Sequence, residues 1–175
     1  MSAKYFYLMS SLPTLSLDTP PPLTTDQFRL QCKTWLTPLE WAAVEEVLTF
    51  NESRSANPFL LRWRDREIQL RNAIARQRAA RLGVDPEPHL REHGAYDAST
   101  DKSIINAFAR PTPIEREMEL DRLRWRIVDE TAGFDPYQLS GLLAYALKIR
   151  LSRRWAKMDE GRGRAALEEL IQRTA

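Results

Sequence analysis

Residues 57–83 read NPFLLRWRDREIQLRNAIARQRAARLG, and this segment predicts one long helix with a marked start and a marked end. The Asn57 side chain can accept hydrogen bonds from the free N–H groups of a first helical turn, and Pro58 fits the next position because its missing N–H would have no partner there. Gly83 is a typical stop, since glycine readily adopts the left-handed conformation that ends many helices. The segment therefore predicts a helix that runs from Asn57 to just before Gly83.

The same pairing of a capping residue with proline occurs elsewhere in the chain, at Thr37-Pro38, Thr112-Pro113 and Asp135-Pro136. Each of the two threonines is followed three residues later by a glutamate, Glu40 or Glu115, which completes a reciprocal capping box. Apolar residues at helical spacing follow every one of these starts. The fold class predicted from this pattern is all-α, an elongated or two-lobed antiparallel helical bundle.

The remaining boundaries follow from the same signals. An apolar N-terminal anchor ends in a proline-rich elbow at residues 20–22. The other helices are expected from Thr24 or Thr25 to Leu36, from Thr37 to about Phe50, from about Ser99 to Ala109, from Pro113 to about Thr131 before Gly133, and from Pro136 through Trp155 toward a kink near residues 161–163 and a last turn with Leu167, Leu170 and Ile171.

Residues 84–98 interrupt the helical pattern with two prolines and a glycine, and we expect a linker or surface loop there. The loop divides the chain into an N-terminal helical half, residues 1–83, and a C-terminal helical half, residues 99–175. The alternative is one continuous domain.

Two stripes run along the long helix, which indicates that it packs on two sides. The first consists of Leu61, Asp65, Ile68, Asn72, Ala75, Ala79 and Leu82, and the second of Phe59, Trp63, Leu70 and Ile74. Asp65 and Asn72 fall on the first stripe, so we expect them to be polar members of a buried contact between helices.

The composition favours a densely charged surface in a reducing compartment. The chain has 26 basic and 24 acidic residues for a net charge of +2, and 21 of the basic residues are arginine. The single cysteine, Cys32, lies on the apolar face of a predicted helix and is expected to be a packed thiol. The longest apolar run, near residues 142–147, is shorter than the roughly 20 residues needed to cross a membrane. These features predict a cytoplasmic protein that, if it acts at a membrane, acts from outside the bilayer.

Arg64, Arg71 and Arg78 recur every seven residues and form the most basic face of the chain. Such a face can grip a nucleic-acid backbone or an acidic protein surface. It can equally be a solvated face that meets acidic residues elsewhere in the chain, such as Glu45, Glu46, Glu115 or Glu119. No recognised DNA-reading motif accompanies it.

His89-Leu90-Arg91-Glu92-His93 matches the H-x-x-E-H order of inverted zinc proteases, in which His89 and His93 would ligate zinc and Glu92 would activate water. Two prolines just before the motif and a glycine just after it leave little room for the helix that such ligands require. Glu168 or Glu169 could supply a third ligand. Because phosphate-binding loops and nucleophile elbows are also absent from the sequence, we expect no cofactor and no small-molecule substrate. The five tryptophans are expected in the core or between helices.

Several segments resemble a bacterial family of proteins encoded beside V-type ATPase genes, a family similar to a shortened form of the C-type stalk subunit, whose eukaryotic counterpart is the d-type stalk subunit. The resemblance is carried by Lys4-Tyr5-Phe6-Tyr7-Leu8 with Ser11-Leu12-Pro13, Leu70-Arg71-Asn72, Arg78-Ala79-Ala80-Arg81-Leu82-Gly83, Leu120-Asp121-Arg122-Leu123-Arg124-Trp125, Leu142-Leu143-Ala144-Tyr145-Ala146-Leu147-Lys148 and Arg154-Trp155.

This resemblance implies a non-catalytic helical adaptor between the central stalk and the membrane ring of a V-type ATPase or ATP synthase, or an accessory or assembly factor of that complex. Its partners would be stalk or ring subunits, which the face of Arg64, Arg71 and Arg78 would bind. The alternatives are a nucleic-acid-binding helical protein that uses the same arginines, and a small zinc hydrolase built on His89, Glu92 and His93.

Overall fold

The computed structural model describes residues 3–49, 56–94 and 96–158. Across these residues the chain forms helices joined by loops, with no strand, so the all-α prediction is confirmed. The helices are α1 (Ala3–Ser11), α2 (Thr25–Lys33), α3 (Pro38–Thr49), α4 (Pro58–Leu82), α5 (Ala98–Phe108), α6 (Pro113–Ala132) and α7 (Leu139–Ala156), with one short 3-10 turn at Glu87–His89.

The predicted capping boxes are present at the starts of α3 and α6. The Glu40 N–H donates to the Thr37 hydroxyl at 3.4 Å, while the Thr37 N–H donates to the Glu40 carboxylate at 2.8 Å. Thr112 and Glu115 make the same exchange, with both distances 3.2 Å. The Asn57 side chain accepts from the first free N–H groups of α4, as predicted. These contacts fix three helix starts through local sequence alone.

Helix ends follow the glycine signals at two predicted positions. Gly83 adopts the left-handed conformation with φ of 67°, and its N–H donates to the carbonyl of Ala79. Gly133 follows the last residue of α6 with φ of 83°. α2 differs from its prediction, because it ends at Lys33 instead of continuing to Leu36.

The predicted start of the last helix at Pro136 is wrong by about one turn. α7 begins at Leu139, and the Asp135 carboxylate accepts instead from the N–H of Tyr137 and the amide of Gln138, each at 2.9 Å. Asp135 therefore closes a turn before the helix, which the same Asp-Pro pair can do equally well. A Cβ on Gly141 would lie 2.2 Å from the Pro136 carbonyl oxygen, so the turn packs directly against the first residues of α7. The expected kink near residues 161–163 and the last turn lie outside the described residues.

Two hydrophobic clusters hold the helices together, and each combines both halves of the sequence. The first gathers residues of α1, α2, α3 and α7 with the ends of α4 and α6, including Leu8, Phe28, Val44, Phe59, Val128 and Leu143. The second joins α4, α5 and α6 through residues such as Leu70, Ile74, Ile104, Phe108, Leu120 and Ile127. Trp63 packs against both clusters. Residues 84–98 therefore do not mark a division between cores.

The packing order places α6 at the centre. It packs against α4, α5 and α7, while α7 also packs against α1 and α3. The two stripes predicted on α4 differ in burial. Phe59, Leu70 and Ile74 of the second stripe are buried, whereas Leu61 and Leu82 at the ends of the first stripe are exposed. No helix within the described residues has the length and the apolar character needed to cross a membrane.

Glu40 ties the N-terminal helix to α3. Its carboxylate accepts from Lys4 Nζ at 2.7 Å and from the Tyr5 hydroxyl, while also capping Thr37. Partial burial opposes the charge, but Lys4, Tyr5 and Thr37 more than offset it and lower the pKa of Glu40 to about 2. The contact holds the apolar anchor, which forms α1, against the body of the protein.

The Glu40→Gln variant should lose stability that depends on pH. Because the folded pKa lies below the ordinary value of 4.5, the contribution of the carboxylate is complete above pH 4.5 and is lost as the pH falls toward 2. We expect the variant to be about 1–3 kcal/mol less stable than wild type at pH 6, with a smaller difference at pH 3. Urea unfolding at the two pH values measures this.

Asp26→Asn is the matched control, because the Asp26 carboxylate beside Arg29 is 85% exposed. It should show only a small difference from wild type at either pH. A Glu40→Gln loss that stays constant from pH 6 to pH 3 would contradict the assignment of this stability to the charge.

Candidate functional site

Two amide side chains on α4 bind the backbone of the predicted linker. Gln69 donates to the Asp97 carbonyl at 2.7 Å and accepts from the Asp97 N–H at 3.1 Å. Asn72 makes the same pair of bonds with the backbone of Arg91, at 2.7 and 3.0 Å. Both side chains are buried. The backbone of Arg91 and that of Asp97 are therefore both bound to α4, and Asn72 meets a loop residue instead of the helix that its stripe predicted.

An open groove runs between α4 on one side and α6 and α7 on the other. It consists of two neighbouring cavities of about 990 and 490 Å³, which share Arg71, His89, Arg124 and Arg154 in their walls. α3 contributes to one end, and the fixed loop contributes His89 and Arg91. We call this feature the arginine groove. It brings together residues that lie far apart in the sequence.

One carboxylate is fully enclosed beneath the groove. Asp121 on α6 accepts from Arg124 Nη1 at 2.7 Å, from Arg154 Nη1 at 2.8 Å and from the Trp155 indole N–H at 2.9 Å. Its side chain has no exposed area. Three donors from two helices thus satisfy a charge that would otherwise be costly to bury. The Asp121 contact is a fully buried polar connection between α6 and α7.

Two further carboxylates extend this network across the groove. Glu67 on α4 pairs with Arg124 at 3.1 Å and with Arg71 at 2.8 Å. Burial opposes the charge on Arg124, but Glu67 and Asp121 raise its pKa above the ordinary arginine value. Glu117 on α6 pairs with Arg154 at 2.8 Å. The network of ion pairs therefore links α4, α6 and α7.

The structure places all three predicted arginines on the wall of the groove. Arg64 lies 3.5 Å from Glu46, Arg71 lies 2.8 Å from Glu67, and Arg78 lies 3.7 Å from Glu117. The side chains of Arg71 and Arg78 are nevertheless 53% and 62% exposed. The face thus meets acidic residues of the same chain, of which Glu46 is one of the four expected partners and Glu67 and Glu117 are not. The side chains of Arg71 and Arg78 remain more than half exposed.

Arg150 on α7 lies deep in the same groove. Its Nη1 donates to the carbonyl of Val47 at 2.5 Å. Burial lowers the pKa of Arg150 to about 10, and the charge of Arg71 acts in the same direction against the opposing effect of Glu67. A cation is therefore held where a nearby negative charge would be favourable.

The residues of the zinc-protease pattern do not form a metal site within the described part of the chain. His89 ends the 3-10 turn at Glu87–His89, whereas Glu92 and His93 lie in irregular backbone. No group of three or more histidine, cysteine or acidic side chains that could hold a metal occurs among the described residues. Glu168 and Glu169 lie outside them. The arrangement lacks the helix that sets two histidines side by side.

Cys32 is a packed thiol, as predicted. It is fully buried in the first hydrophobic cluster, and burial raises the pKa of its thiol to about 12. The thiolate, which is the reactive form, is therefore disfavoured at neutral pH.

A row of exposed aromatic rings lies outside the groove. Phe6 contacts Tyr7 and Tyr137, with ring centroids 5.9 and 4.9 Å apart, and Tyr7 stacks on Trp35 at 6.3 Å. Trp35 is 43% exposed, which corrects its expected place in the core or between helices. The remaining tryptophans follow the expectation more closely, since Trp41 and Trp63 pack against the hydrophobic clusters, Trp125 lies beneath Lys148 and Trp155 donates to Asp121.

We predict that Asp121→Asn lowers the free energy of unfolding by about 2–4 kcal/mol, because the variant leaves Arg124 and Arg154 without their shared buried anion. Urea denaturation measures the change. Asp129→Asn is the control, since the Asp129 carboxylate on the same helix pairs with Lys148 but is 56% exposed, so its removal should cost at most about 1 kcal/mol. Equal losses in the two variants would contradict a special role for Asp121.

The two amide contacts of α4 should be separable by hydrogen exchange. Asn72→Ala should speed exchange of the Arg91 N–H by roughly 5- to 150-fold, the factor that corresponds to a lost buried acceptor, while the Asp97 N–H keeps its protection. Gln69→Ala should show the reverse pattern. Loss of protection at both sites in either variant would mean that the loop opens as one unit.

Residues 101–175 match the model of a protein family described as "Protein of unknown function (DUF2764)". The match begins within α5, includes α6 and α7, and covers less than half of the chain. Neither a curated protein nor a solved structure matches the sequence. The C-terminal part of this chain, which carries Asp121, Arg124, Arg150 and Arg154, is therefore similar to a family whose function is unknown.

Proposed function

We propose that this protein is a non-catalytic helical adaptor, a C-like stalk subunit or accessory component of a bacterial V-type ATPase or ATP synthase. In this role it links the central stalk to the membrane ring at the inner face of the membrane. Its own contact with the membrane is peripheral and occurs through its partners. The connection to this complex rests on the sequence resemblance, and the adaptor role rests on the arginine groove.

The observation that carries the adaptor role is a surface whose charges are held in place before a partner arrives. Arg71 and Arg154 are each oriented by a carboxylate of the same chain, Glu67 or Glu117, at 2.8 Å. Side chains that are already ordered lose less conformational entropy when they bind. Arginine is also enriched at protein interfaces, where its planar group contacts both carboxylates and apolar surface.

The same network suits a component that transmits force. Asp121 joins α6 to α7, and Glu67 joins α4 to α6 through Arg124. Because the helices are also connected by two hydrophobic clusters, movement of one wall of the groove must disturb the others. A stalk connection requires such stiffness.

Nucleic acid is the less favoured ligand of the same surface. A phosphate backbone could pair with exposed arginines such as Arg71 and Arg78. It would leave the exposed apolar side chains at the end of the same wall, Leu82 and Val84, uncovered. The zinc hydrolase alternative has no group of ligands in the described residues to support it.

Affinity purification of the tagged full-length protein from its native cells, in the presence of nuclease, tests the proposal. We expect recovery of V-type ATPase stalk or ring subunits, and at least fivefold lower recovery with Arg71→Glu/Arg78→Glu. The control is Arg110→Glu/Arg122→Glu, which reverses two other arginines that are 53% and 52% exposed, pair with Glu119 and do not line the groove.

Circular dichroism should show the same helical content in all variants. Absence of ATPase subunits from the wild-type purification would overturn the proposed complex. Equal loss with both double variants would overturn the assignment of binding to the groove, because it would reflect general surface charge.

A further inference from the structure

We propose that the arginine groove receives an acidic amphipathic helix of a partner protein, with apolar residues on one face and glutamate or aspartate along its edges. The inference rests on the proposed adaptor role and deepens it by specifying what the partner presents.

The shape of the groove favours a rod-like occupant. On α4 its wall runs from Leu60 to Leu82, a distance of about 33 Å at 1.5 Å per residue. The lining positions of α4 recur every three or four residues, so they form one continuous face of the helix. On α7 the lining residues Leu147, Arg150, Leu151 and Arg154 have the same spacing. A helix that lies between two helices makes contacts at this period, which is the geometry of helix-in-groove recognition.

The chemistry of the lining favours an amphipathic occupant. Apolar side chains on the groove wall come from four helices and from the loop after α4, namely Val47, Leu60, Trp63, Ile68, Ile74, Leu82, Val84, Leu120, Leu147 and Leu151. Val47, Leu60, Ile74, Leu120 and Leu147 are buried and form the floor. Leu82 and Val84 are 75% and 55% exposed at the end of the groove. Burying such residues against apolar side chains of a partner would remove them from water.

The charge of the lining specifies an acidic occupant. The described residues that line the two cavities include seven arginines, Arg64, Arg71, Arg78, Arg91, Arg124, Arg150 and Arg154. They include four carboxylates, Glu46, Glu67, Glu117 and Asp121. The lining thus carries three more positive than negative charges, and the most deeply placed carboxylate, Asp121, is already fully enclosed. Acidic side chains on the edges of an incoming helix would complement this excess.

An extended peptide fits these observations less well. Such a peptide binds by adding a strand to the edge of a sheet, and the described part of the chain contains no strand. A compact anion would use the arginines but not the apolar lining along α4. An amphipathic helix uses the whole groove.

A synthetic peptide tests the inference with the purified full-length protein. The probe is a fluorescein-labelled 21-mer of three heptads, with leucine on one face and glutamate on both edges. The control peptide has glutamine in place of every glutamate. Fluorescence anisotropy at low salt should give at least tenfold tighter binding of the glutamate peptide, and added salt should reduce this difference.

Two pairs of variants locate the binding site. Arg64→Glu/Arg71→Glu should weaken binding of the glutamate peptide at least tenfold, whereas Arg110→Glu/Arg122→Glu should leave it within twofold. Leu82→Ser should weaken binding of both peptides, whereas Leu39→Ser should not, since Leu39 is also exposed but lies outside the groove. Circular dichroism confirms that each variant remains folded.

Three results would overturn the inference: no binding of the glutamate peptide, equal binding of the glutamine peptide, or tighter binding of a labelled 20-base-pair DNA duplex than of the glutamate peptide. The outcome is independent of the purification experiment. If the peptide binds and no ATPase subunit is recovered from cells, binding of an acidic helix is supported and the proposed complex is overturned. If ATPase subunits are recovered and the peptide does not bind, the proposed complex is supported and binding of an acidic helix is overturned.

Discussion

The buried carboxylate of Asp121 is the contact on which the groove depends. Taking an anion out of water costs several kcal/mol, and the protein offsets this cost with Arg124 from the same helix and with Arg154 and Trp155 from α7. Each donor is held in one position by this common acceptor. The two arginines then present their remaining N–H groups to Glu67 and Glu117. The orientation of Arg124 and Arg154 on the groove wall therefore follows from one buried charge.

The space between α4 and α7 remains an open groove whose walls carry long charged side chains, such as Arg64, Arg71 and Arg150. Apolar helix faces approach each other closely, as α4 does with α5 and α6 around Leu70 and Ile74. On another side of the same helix, Arg71 pairs with Glu67 of α4 and Arg78 lies near Glu117 of α6, and guanidinium groups need both space and solvent. The same α4 thus has one side that closes a core and another side that leaves a cleft. Members of both predicted stripes line the cleft, including Ile68 of the first and Trp63 of the second.

The helix starts were predictable because capping is local. The side chains of Thr37, Asn57 and Thr112 accept hydrogen bonds from N–H groups no more than three residues later in the sequence, and the structure contains these bonds. Asp135 could not be resolved in this way, since an aspartate before proline suits either a helix start or a closed turn. The arginines of α4 were visible as a repeat, but their partners Glu46 and Glu117 lie on other helices. Asp121 gave no local signal of burial, because only the packing of α6 against α7 brings Arg154 and Trp155 to it.

Gln69 and Asn72 bind the peptide groups of Asp97 and Arg91, the former beside an ion pair between Arg66 and the Asp97 carboxylate. Almost any amino acid except proline offers the same N–H and carbonyl at the bound positions. The contact with Asn72 therefore makes no demand on the identity of the side chain at position 91. In evolutionary terms, a substitution at position 91 can alter this edge of the groove while the backbone contact with Asn72 is kept.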